Sequence, residues 1–123
     1  MVRISARAFD RVLHEVIEGL PTEFRRVIDR VPVVVDPAPS RALVEDDDEA
    51  AELLGLFVGP PLAEWDLTEG PPETAVIYLF HDNLEDAAAT RSELAAQIRI
   101  TLLHELGHAL GFDEDDLDRM GLG

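Results

Sequence analysis

Leu103-His104-Glu105-Leu106-Gly107-His108-Ala109-Leu110-Gly111 holds two histidines four residues apart, with a glutamate directly after the first. On a helix those two rings leave one face about one turn apart, where they can grip a single metal ion. Glu105 then points to the flank of the ion, and a carboxylate there can take a proton from a water that the metal holds. Bound zinc lowers the pKa of such a water toward about 7, which makes a nucleophile available at neutral pH. From this composition the five-residue motif would arise by chance in roughly one such sequence in 75, and with Gly111 at its spacing in about one in a thousand. Chance pairing of surface histidines is therefore a poor account of it.

Upstream, Thr90-Arg91-Ser92-Glu93 has the form of a capping box and predicts the start of a long helix. Leu94, Ile98, Thr101, Leu102 and Leu106 supply its core-facing stripe, and it runs to about Leu110 before Gly111 permits a left-handed turn. Phe112 is expected to anchor that turn, and Asp113 to Arg119 to form one last short helix. The chain has no Cys, so a zinc ion must be held by His, Asp or Glu. Only 15 residues follow His108, so the third ligand is expected close by rather than on a distant downstream helix. Gly111 lets the chain fold back so that Glu114, three residues later, faces the metal. The extended pattern is His-Glu-x-x-His-x-x-Gly-x-x-Glu on His104, Glu105, His108, Gly111 and Glu114.

The preceding sequence alternates helical and strand patterns. Ser5 opens an amphipathic helix on Phe9, Val12, Leu13, Val16, Ile17 and Leu20, ended by Gly19 and Pro21, and a shorter helix follows Thr22. Val31 to Asp36, Leu53 to Val58 and Thr74 to Phe80 read as strands. In the last of these Val76, Tyr78 and Phe80 share one face and Ile77 and Leu79 the other. The run Glu45 to Glu49 lacks the ligand spacing of a calcium loop and reads as a solvated loop or an acidic helix start. Trp65, in the Pro- and Gly-rich connection from Gly59 to Glu73, is expected to cover the core. His14 reads as a surface histidine, Tyr78 as a strand core residue and His81 as a strand-end surface residue.

With 123 residues, 46% of them hydrophobic, the chain suits one domain spanning 1–123. The formal charge of −16 arises from 26 acidic residues against 10 basic ones, all Arg. That field repels polyanions, so no nucleic-acid partner is expected, and a metal-dependent ribonuclease is disfavoured on the same ground. No stretch has the length and apolarity of a signal peptide or a membrane span, so no membrane association is expected and the location is read as cytoplasmic.

Taken together, these residues resemble the small bacterial zincin-like metallopeptidases, the minimal zincins. Besides the metal-motif helix, the likeness lies in Leu54-Gly55-Leu56-Phe57-Val58-Gly59-Pro60-Pro61-Leu62, in Val76-Ile77-Tyr78-Leu79-Phe80, and in Asp115-Asp116-Leu117. The resemblance implies an α+β fold, a small mixed sheet packed on helices that include the motif helix, and peptidase activity. The family pattern commonly has Asp where this chain has Glu114, so Asp113, Asp115 and Asp116 stay open as alternative third ligands. The expected function is a zinc metallopeptidase acting on a peptide or protein substrate, with Glu105 as catalytic base and His104, His108 and Glu114 on Zn2+. The alternatives are a non-catalytic metal-binding or protein-interaction module that retains the zincin helix, and a structural acidic domain without metal. Because so little sequence follows the motif, a partner chain that completes the substrate cleft is also weighed.

Overall fold

A computed structural model describes residues 1–44, 46–60 and 75–121. Among these residues the order is α1 (Ala6–Glu18), α2 (Thr22–Ile28), β1 (Val33–Asp36), α3 (Asp47–Glu52), β2 (Gly55–Val58), β3 (Val76–Phe80), α4 (His81–Asp86), α5 (Arg91–Ala109) and α6 (Glu114–Arg119). Trp65 and the rest of its connection lie outside the described residues. The three strands form one mixed sheet in the order β1-β3-β2. β1 runs parallel to β3, with Val33 opposite Ile77, and β2 runs antiparallel to it, with Phe57 also opposite Ile77. The result is the expected α+β architecture.

α5 is the centre of this arrangement, packing against α1, α2, α4, β2 and β3. Its predicted stripe is buried throughout, with Leu94, Ile98, Leu102 and Leu106 fully so. α1 covers it with Phe9, Val12 and Leu13, and the sheet contributes Ile77 and Leu79. The predicted starts have their caps: the Ser5 hydroxyl accepts from the Ala8 N–H, and the Thr90 hydroxyl from the Glu93 N–H. The Glu93 carboxylate accepts from Ala89 rather than from Thr90, one residue before the expected capping-box partner. The acidic run becomes the first turn of α3, where Asp46 accepts from the Glu49 N–H and Asp47, Asp48 and Glu49 face the positive helix end.

Two expectations about β3 are corrected. Tyr78 is half-buried rather than core, its ring stacked 6.3 Å from that of the fully buried Phe80. His81 is not a strand-end surface residue. It is the first residue of α4, and its side chain is only 16% exposed, with its ring 4.3 Å from that of Phe9. α4 itself follows β3 without any turn signal. Its residues are fixed from a distance: the Asn83 amide donates to the carbonyls of Ala50 and Leu53 at the end of α3, and Glu85 accepts from the Ile4 N–H. His14 is exposed, as expected, and pairs with Glu18 one turn on. No helix among the described residues is long and apolar enough to cross a membrane.

β2 approaches α5 closely because position 55 has no side chain. A Cβ there would lie 2.6 Å from Thr101 Cγ2 and 2.9 Å from the Tyr78 carbonyl oxygen. The hydroxyl-bearing side chain can shift, but the backbone of the central strand cannot. Gly55→Ala is therefore expected to destabilise the protein by about 1–3 kcal/mol, the usual cost of overpacking. Chemical denaturation that shows no loss of stability would contradict this close approach.

Candidate metal centre

His104, Glu105 and His108 sit in the last turns of α5, which ends in a Schellman motif. The Phe112 N–H donates to the Gly107 carbonyl at 3.0 Å and the Gly111 N–H to that of His108 at 2.9 Å, with Gly111 at φ +90°. Phe112 thus anchors the turn through its backbone. The chain reverses into α6, whose capping box ties Asp113 and Asp116 to each other, with Arg119 also on Asp116. α6 docks through Leu117, which is fully buried against the bare backbone of Gly107.

That reversal carries Glu114 to the histidines. Its Oε1 lies 3.2 Å from His104 Nε2 and 3.0 Å from His108 Nε2, and the two imidazole nitrogens are 3.1 Å apart. His108 Nδ1 lies 3.2 Å from the Phe112 carbonyl, an acceptor only, so Nδ1 carries the proton. In a neutral ring the lone pair at Nε2 then faces the Glu114 carboxylate, and only a proton or a cation between them relieves the repulsion. Three donors on a tetrahedral ion with bonds of about 2.0–2.1 Å would stand roughly 3.3–3.4 Å apart, so this N2O set, at 3.0–3.2 Å, needs only a slight spreading to hold zinc and matches it in chemistry. Asp113 and Asp116 spend their carboxylates on the cap of α6.

Glu105 completes the cluster with the two histidines. It is buried, and its Oε1 accepts a 3.0 Å hydrogen bond from the Phe57 N–H on edge strand β2. Burial pushes its carboxyl above the ordinary value, and the Phe57 amide and the two nearby imidazoles offset part of that rise.

A protein-family model of zincin-like metallopeptidases matches residues 28–123. The chain belongs to the zincin-like metallopeptidase family. No curated protein matches it. The family implies a divalent metal, usually zinc, and peptide substrates, and the His104, Glu105 and His108 group of this zincin-like chain could hold such an ion.

Two parts of the site were absent from the sequence reading. The first is the Phe57 amide, a backbone group without any sequence signal. The second is a cleft beside His104 and Glu105, bordered by Leu53, Leu54, Ile100 and Thr101. Ile100 did carry a signal, since it is apolar, lies off the core stripe of α5 and is one turn before His104. His81 lines a different cavity, with Asp10 and Asp36, so it is no donor at this centre.

The raised carboxyl has a consequence for the metal-free protein. A carboxyl whose folded pKa exceeds its unfolded value contributes stability below the ordinary carboxylate range and loses it as pH rises through the folded value. Gln at position 105 keeps an acceptor for the Phe57 N–H and carries no charge to desolvate. Metal-free Glu105→Gln is thus expected to melt above metal-free wild type at pH 7, with the gap closing toward pH 4. A gap that stays constant with pH would contradict the burial cost assigned to Glu105.

Proposed function

We propose that this chain is a zinc-dependent peptidase in which His104, His108 and Glu114 hold the ion and Glu105 is the general base. The observation that carries this reading is the mutual approach of two Nε2 atoms and one carboxylate oxygen, at 3.0–3.2 Å, beside a buried glutamate. When bound, zinc supplies Lewis acidity and lowers the pKa of a coordinated water toward about 7. The protein residues do the rest. His108 is held in its metal-binding tautomer by the Phe112 carbonyl. Glu105 gives one oxygen to the Phe57 N–H and keeps the other to take the proton of the attacking water and to pass it to the departing amine. Because burial raises its proton affinity, Glu105 is a stronger base than an exposed carboxylate.

The reading is tested by metal analysis together with peptide hydrolysis. His104→Ala and His108→Ala are each expected to lose the zinc, and unchanged stoichiometry in either would remove the metal site. Glu114→Ala should weaken zinc strongly, while Asp113→Ala, Asp115→Ala and Asp116→Ala weaken it less. Loss of metal from one of those Asp variants, with Glu114→Ala unaffected, would transfer the ligand role to that Asp. Glu105→Gln should bind zinc with near-normal affinity and hydrolyse peptides about 10² to 10⁴ times more slowly, the usual effect of losing a general base. A zinc-loaded wild type that cleaves no peptide, alone or with a partner chain that completes the cleft, would leave the non-catalytic module in its place.

A further inference from the structure

The cleft between the start of β2 and the outer face of α5 touches the metal centre directly. Leu53, Leu54 and Gly55 line it from the β2 side, and Ile100, Thr101, His104 and Glu105 from α5. We propose that this cleft receives one apolar side chain of the peptide substrate, and that Ile100 and Leu53 set the preference for it. The proposal rests on the peptidase reading above and adds the substrate class to it.

Four observations converge on an apolar side chain as the occupant. The cleft has a volume of ≈ 240 Å³, below the roughly 300–1,000 Å³ of sites that take a whole small molecule, so it suits one side chain. Ile100 is 51% exposed at its rim although the core stripe of α5 lies on another face. Four large apolar side chains are exposed among the described residues, Met1, Val34, Ile100 and Met120, and of these Ile100 is the one that lines this cleft. Among the lining residues the sole carboxylate is Glu105, and one of its oxygens is engaged by the Phe57 amide. A charged side chain of either sign entering the cleft would be desolvated against mostly apolar walls. The depth is set by Gly55 and Thr101, whose contact leaves no room for a Cβ at position 55.

Burying a leucine-sized side chain rather than an alanine is worth about 10- to 200-fold in a pocket of this kind. Zinc-loaded Glu105→Gln retains the ligands but lacks the base, so peptide binding can be read without turnover. Blocked hexapeptides with each central position varied in turn as Leu, Ala, Lys or Asp are titrated into it. One position is expected to favour Leu over Ala by about 10- to 200-fold in Kd, with Lys and Asp no better than Ala. Adding Ile100→Lys, at a half-exposed site that leaves the core untouched, should bring the Leu-to-Ala ratio to within a few-fold of one, and Leu53→Ala should lower it. Absence of discrimination at every position, equal affinity for Lys, or a preference for Leu that survives both substitutions would overturn the proposal. Wild type that fails to cleave these peptides while Glu105→Gln still discriminates among them would sink the peptidase reading and leave the pocket standing.

Discussion

The missing side chain of Gly107 is the constraint on which the candidate metal centre depends. A Cβ at that position would lie 2.2 Å from Leu117 Cδ2, and Leu117 is fully buried. Because α5 presents bare backbone there, α6 can seat its one apolar anchor on the helix that carries the histidines. The Schellman turn sets the direction of the reversal and Leu117 sets its depth, and together they deliver the Glu114 carboxylate to within 3.2 Å of both imidazoles. A six-residue helix is too short to be stable alone. Were Glu114 to hold a cation, as proposed, the docking of this helix and that capture would be coupled, and part of the zinc affinity would be the free energy of ordering this segment.

Glu105 shows the opposite use of packing, since its burial works against stability. A carboxylate held away from water is costly, and the protein offsets this cost with one backbone amide and two imidazoles. The amide comes from an edge strand, where Phe57 would otherwise leave an unpaired donor. One hydrogen bond thereby satisfies a strand edge and orients a buried acid beside the two imidazoles. Such local cost at a polar site is the expected signature of function rather than of folding.

Away from the site, the acidic surface does little for the fold. The ion pairs of Arg3 with Asp86 and Arg41 with Asp47 join side chains that are roughly half or more exposed, a setting in which such pairs contribute little. Buried polar contacts matter more. Asn83 caps the last turn of α3, and Glu85 holds the N-terminal segment through Ile4. Six residues of α4 thus connect the beginning of the chain, the acidic helix and the central strand to one another.

The sequence by itself determined the elements whose signals are local. The caps at Ser5 and Thr90, the apolar stripe of α5, the glycine turn at Gly111 and the alternation along β3 all concern residues within a few positions of each other, where hydrogen-bond and helical periodicity operate. The spacing of His104, Glu105, His108 and Glu114 is of the same kind, because a helix followed by one turn converts sequence distance into position in space. Strand ends were read two residues too early at Val31 and Leu53, since a carbonyl or a side chain can join the core without pairing. What the tertiary structure decided is everything that depends on residues far apart in the chain. The sheet order β1-β3-β2, the formation of α4, the burial of His81, the Phe57 amide on Glu105 and the cleft between Leu53 and Ile100 each require two segments to meet. Their meeting is governed by how volumes fit, as at Gly55 against Thr101, and a single position in a sequence carries no record of the volume opposite it.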